Sequence, residues 1–139
     1  MMPPLRYRCF AAMAAILAAS CDGTTTTGPS NTAATGTETF VGQFGAGGSA
    51  SRTIVATASG EIALTLREAG PPTDIALGLG IGIPSANNVG CHQTRTVLVA
   101  AAATPQLVAA VDAGTYCVRV FDAGTMTTPV AFAVAISHP

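Results

Sequence analysis

Residues 74–83 read Asp-Ile-Ala-Leu-Gly-Leu-Gly-Ile-Gly-Ile, and this run constrains the fold more than any other. Ile75, Leu77, Leu79, Ile81 and Ile83 recur at every second position, with Ala76, Gly78, Gly80 and Gly82 between them. A period of two puts the branched side chains on one face of an extended strand, whereas a helix would scatter them around its circumference. The other face is nearly bare backbone, and glycine inside a strand marks a place where another segment approaches closely. Ala76, Gly78, Gly80 and Gly82 are therefore a candidate contact face for a partner, with cover by a neighbouring loop or by the second sheet as the competing reading.

The same period returns along the chain. Ile62, Leu64 and Leu66 share a face opposite Glu61, Thr65 and Arg67, and Gly60 and the Gly70-Pro71-Pro72 cluster bound that run. Tyr116, Val118 and Val120 alternate, as do Phe132, Val134 and Ile136, and residues 39–44, 52–58, 93–99 and 106–111 complete about eight strands. A helix competes only over 97–110, where alanine is frequent, but Pro105 breaks any long helix there and Leu107-Val108 favours a strand. The pentads 111–115 (VDAGT) and 121–125 (FDAGT) bracket one strand, each offering an Asp acceptor and a Gly for a tight reversal. Short strands with turns at this spacing predict an all-β fold, an antiparallel β-sandwich.

Composition narrows the classes further. A chain of 139 residues, less a leader, holds one domain. It is 49% hydrophobic, 5% aromatic and 9% charged, against about 25% charged residues in an ordinary domain. Beyond the leader only Arg52, Arg67, Arg95 and Arg119 are basic, against seven acids, so no positive field attracts phosphates and nucleic acid is not an expected partner.

Arg6 and Arg8 precede an apolar run over 10–19, the layout of a bacterial export signal over residues 1–20. That run is shorter than the roughly 20 residues a spanning helix needs. The junction Leu17-Ala18-Ala19-Ser20-Cys21 resembles the lipobox of bacterial lipoproteins, which implies a diacylglycerol thioether on Cys21 as the new N-terminus and a membrane partner through that anchor. Ala18 stands where Leu is usual, which leaves cleavage by a general signal peptidase open. The expected location is exported and anchored to the cell membrane or outer membrane, periplasmic or surface-exposed. Residues 21–36 then read as the anchor and a Thr-, Gly- and Pro-rich tether with a reach of roughly 20 Å, and 37–139 as the sandwich.

Cys9 leaves with the leader and Cys21 takes the lipid, so Cys91 and Cys117 remain as a disulfide pair in an oxidising compartment. Closing a loop of about 27 residues is worth about 3.5 kcal/mol on the chain-entropy model. The alternative is a nucleophile pair of Cys91 with His92, but adjacent strand residues point to opposite faces.

The stretch Ala113-Gly114-Thr115-Tyr116-Cys117-Val118-Arg119-Val120 resembles the GTYYVRV strand of bacterial pre-peptidase C-terminal domains. Residues 60–66 are similar to that family's G-x-L-x-V-x-L strand and 74–79 to its D-L-D-L-Y-L strand, with 132–136 at the closing strand. The resemblance, over about 37–137, implies a jelly-roll-like antiparallel sandwich that accompanies exported proteins as a noncatalytic appendage. Ala76 replaces the family's second Asp, weakening any calcium site, and Cys117 replaces its second Tyr.

No cofactor or catalytic set is expected. Gly47-Gly48-Ser49-Ala50-Ser51 lacks the closing Gly of a nucleophile elbow, and 78–83 lacks the last Gly of a dinucleotide fingerprint. His92 and His138 stand apart from other metal ligands and read as solvated side chains. The expected role is a binding or accessory module for another envelope protein or polysaccharide. The alternative is a structural, self-assembling envelope component, because the absence of Lys leaves strand edges poorly guarded.

Overall fold

A computed structural model of the chain describes residues 35–87 and 89–139. The leader, Cys21 and the tether up to residue 34 lie outside the described residues. Eight strands follow: β1 (Gly36–Phe44), β2 (Ser49–Ala56), β3 (Gly60–Gly70), β4 (Leu77–Pro84), β5 (Cys91–Val99), β6 (Leu107–Val111), β7 (Gly114–Phe121) and β8 (Val130–His138). They form two four-stranded antiparallel sheets, β1-β8-β3-β6 (sheet I) and β2-β7-β4-β5 (sheet II). The antiparallel pairs β1·β8, β2·β7, β3·β6 and β4·β5 are nested like the two halves of one long hairpin whose tip lies between β4 and β5. Rolling that hairpin sets β3 beside β8 and β4 beside β7, which is the jelly-roll topology.

The two alternating runs build the core, except that Ile83, expected on the buried face, is 55% exposed at the end of β4. Ile62, Leu64 and Leu66 of β3 and Leu77, Leu79 and Ile81 of β4 are buried, with Val118 and Val120 of β7 and Val134 and Ile136 of β8. Each such side chain contributes roughly 1.5–3 kcal/mol by leaving water. Phe40 and Phe44 of β1 converge on Phe132 of β8, with ring centroids 5.1 and 5.5 Å apart. Gly42 sits between those two phenylalanines in sequence and opposite Phe132 in register, and a Cβ there would lie 2.7 Å from the Phe132 ring tip. The missing side chain is what gives that ring its place.

Boundaries differ from the sequence expectation in instructive ways. β4 starts at Leu77, because Asp74 and Ile75 belong to a turn in which the Ile75 N–H donates to the Pro72 carbonyl at 3.3 Å; Ile75 still packs into the core. β2 begins earlier, at Ser49, where it pairs with Phe121. The alanine-rich segment contains the end of β5, a connection and β6, with no helix. The two DAGT pentads are not tight hairpins, since β6 and β8 lie in sheet I and β7 in sheet II, so both connections cross between layers. Only Gly124 of the second pentad takes a positive φ, +95°, whereas Gly114 opens β7 opposite Ala56.

β3 outruns its partner β6, and a side chain completes the ladder. The Gln106 N–H donates to the Leu64 carbonyl at 2.9 Å, and its Oε1 accepts from the Leu66 N–H at 2.7 Å. Gln106 Nε2 in turn donates to the Ala100 carbonyl at 2.8 Å, so the amide substitutes for the missing strand.

Candidate functional site

The glycine row of β4 is on the outer face of sheet II, as the alternation requires, but it is not open. Gly78, Gly80 and Gly82 are buried. A Cβ at Gly78 would run into the Phe121 ring, and one at Gly80 into the Gln93 side chain. Ala76 precedes the strand, half-buried, and its carbonyl accepts the Thr125 hydroxyl at 3.5 Å. The row is thus covered by groups of the strands that flank β4 in its own sheet, Phe121 of β7 and Gln93 of β5, and not by a loop or by the second sheet.

Gly82 has the most specific role. A Cβ on it would overlap the His92 carbonyl, because the first residues of β5 run across the outer face of β4 at this point. The β4–β5 register shifts between Ile81 and Gly82, a bulge that inserts Thr94 on the β5 side. That crossing brings Cys91 of β5 within a Cα separation of 5.7 Å of Cys117 on β7, two strands away, and the two form the disulfide. Cys117 is buried and His92 is exposed, so the Cys91–His92 nucleophile alternative fails. Beside this strap Arg119 lies over the Phe121 ring at 5.9 Å and donates to the Ser49 hydroxyl at 2.9 Å.

Charged groups elsewhere are committed to the scaffold. Asp122 Oδ1 accepts the N–H groups of Gly124, Thr125 and Met126 at 2.8–3.2 Å, and its Oδ2 accepts the Gly47 N–H at 2.8 Å. These donors, Gly47 first, hold its carboxyl below the ordinary value of 3.8. The carboxylate ties the β7–β8 connection to the β1–β2 turn. His138 is not the free, solvated side chain the sequence suggested: its Nε2 lies 3.4 Å from Glu38 Oε1, and Glu38 Oε2 pairs with Arg52 at 2.7 Å. Among the described residues no three His, Cys, Asp or Glu side chains gather as a metal-binding group.

Strand edges are guarded by arginine in place of lysine. Arg52 of β2 donates to the Thr39 carbonyl of β1 at 3.3 Å, and Arg95 of β5 donates to the Val108 carbonyl of β6 at 3.1 Å. Each therefore spans one open side of the sandwich at a single point, from sheet II to one carbonyl on the edge of sheet I.

The concave feature that sequence reasoning missed lies on the outer face of sheet I. An open groove of about 840 Å³ has Ala131 and Ala133 of β8 on its floor, Val41 and Gln43 of β1 on one wall, and Arg67 and Glu68 of β3 on the other. Thr73 and Ala101 close its end. Arg67 is held away by a 2.7 Å bond to the Ala103 carbonyl, while Glu68 makes no ion pair among the described residues. The signal was present in the alternation of Ala131, Ala133 and Ala135 with Phe132, Val134 and Ile136, a row of small residues on an inner strand.

Fold and groove together define a jelly-roll sandwich with a shallow, small-residue surface channel. No protein-family model matches the chain, and no curated protein matches it.

Proposed function

We propose that the protein is an exported, noncatalytic binding module, tethered to the envelope membrane through lipidated Cys21, that receives another envelope protein or a polysaccharide in the groove of sheet I. The groove carries this reading: it is open, floored by Ala131 and Ala133, and bordered by Gln43 and Glu68, whose side chains have no partner among the described residues. Such a channel fits an extended ligand approached from the side, whereas chemistry on a small substrate calls for an enclosed pocket with convergent polar groups. The Cys91–Cys117 bridge supports an oxidising location. The strands β3, β4, β7 and β8 fall where the sequence resembles the pre-peptidase C-terminal family, which supports a noncatalytic accessory role.

Crosslinking and pull-down from intact envelopes tests it, with fatty-acid labelling in parallel. Wild type is expected to take up label and capture a protein or polysaccharide; Cys21→Ala loses the label, and Ala133→Arg, which fills the groove, loses the captured ligand while keeping its melting temperature. Undiminished capture by Ala133→Arg overturns the groove assignment, and undiminished labelling of Cys21→Ala overturns the anchor.

A further inference from the structure

The four strand edges of the sandwich are not equally protected. β6 is five residues long with its Val108 carbonyl occupied by Arg95, and β5 is broken by the bulge at Thr94. β2 carries Arg52 at its centre. β1 is nine residues long, keeps an unbroken register with β8, and beyond Thr39 meets no guarding side chain.

The direction of its free backbone groups follows from the sheet. Leu64 and Leu66 of β3 bond toward the β6 side through Gln106 and Ala102, so Thr65 bonds toward β8. Ala135 is the register partner of Thr65 on one side and of Thr39 on the other, so Ala135 is engaged with β3 and the N–H and C=O of Thr39 point away from β8. By the same parity the N–H and C=O of Val41 and Gln43 face the open edge. The Arg52 bond to the Thr39 carbonyl marks that direction independently. Val41 is 66% exposed.

We propose that β1 pairs antiparallel with β1 of a second copy of this chain, about a two-fold axis at Val41. Val41 then bonds reciprocally with its counterpart, and Thr39 stands opposite Gln43 on either side of the axis. The stretch Thr39-Phe40-Val41-Gly42-Gln43-Phe44 contains no charge, so doubling it brings no like charges together. A β-branched residue on itself and a hydroxyl opposite an amide are favourable cross-strand pairs. This self-complementarity is what selects a second copy over an unrelated strand. Arg52 gives up its 3.3 Å bond to Thr39 as the strands meet, which makes it a brake on the pairing.

The pairing has a structural consequence independent of any ligand. Sheet I becomes a continuous eight-stranded sheet, and because Val41 and Gln43 form the β1 wall of the groove, the two grooves meet at the seam and share that wall. The partner copy thereby contributes residues to each site.

Sedimentation equilibrium of the full chain in density-matched detergent tests this. Wild type is expected to show a concentration-dependent dimer, and Val41→Lys only monomer with an unchanged melting temperature; Gln43→Lys gives the same reading from a second exposed position on the edge. Arg52→Ala is expected to dimerise at a severalfold lower concentration. A wild type that stays monomeric, including one that instead carries another protein on β1, overturns the proposal, as does a dimer that survives both lysine variants or weakens in Arg52→Ala.

Discussion

Asp122 shows how much one carboxylate organises in a chain with few charges. Four backbone N–H groups from two connections converge on it, satisfying donors that would otherwise have to find water. Because its folded carboxyl is held below 3.8, the stability it provides is complete above the unfolded value and is lost as pH falls through the folded one. Thermal melts between neutral pH and pH 3 are therefore expected to show a decline at the acid end that is reduced in Asp122→Asn, with that variant already less stable at neutral pH; parallel acid profiles would remove Asp122 from this role. The sequence announced the acceptor and Gly124 through FDAGT but gave the same weight to VDAGT. The copies differ because Asp112 is engaged elsewhere. Its carbonyl accepts the Tyr116 hydroxyl at 3.0 Å and its Oδ1 the Ser59 hydroxyl at 3.1 Å, leaving Gly114 free to start a strand. A local motif cannot reveal which distant donors will claim its oxygen.

β4 and β5 make the same point one level up. The period of two placed Leu77, Leu79 and Ile81 on the buried face, since alternation is dictated by backbone geometry, but it did not show that Ile75 would precede the strand or that Ile83 at its far end would be exposed. What covered the bare face depended on Phe121 and Gln93, brought there by register and a bulge that no periodicity encodes. The groove was hidden for the related reason that an alanine row reads as neutral until the flanking strands supply walls. Gly82→Ala is expected to cost about 1–3 kcal/mol by forcing the start of β5 off β4, and to raise the fraction of free thiol on Cys91 and Cys117. Gly45→Ala, where an added Cβ meets nothing within 4 Å, is the control and should melt with wild type. Equal thiol titres in the two variants would show that the crossing does not depend on the missing side chain.

Nested pairing means that most contacts join distant parts of the sequence, and β1 cannot find β8 until nearly the whole chain is in place. Folding of such a topology is expected to be slow for its size. The disulfide shortens the search by fixing β5 to β7 across β4. Replacing both cysteines, as Cys91→Ser with Cys117→Ser, is expected to lower the unfolding free energy by about 3.5 kcal/mol, out of roughly 5–15 for an ordinary domain. Denaturant titration checks this, and a loss below about 1 kcal/mol would mean that the unfolded chain is already restrained there. The sandwich class and all eight strands were legible before the structure, because they follow from side-chain alternation and turn residues; the layer each strand joined was not, because it is settled by long-range closure.

The same closure brings the domain's two ends together. Gly36 lies opposite His138 in the β1–β8 ladder with the Glu38–His138 contact clasping them, and Pro139 beyond is tucked in, its carbonyl accepting the Thr57 N–H at 2.9 Å. Adjacent ends of this kind suit a circular permutant reopened at Gly45–Gly48, which is expected to keep the fold if the new linker leaves the Thr57–Pro139 bond in place.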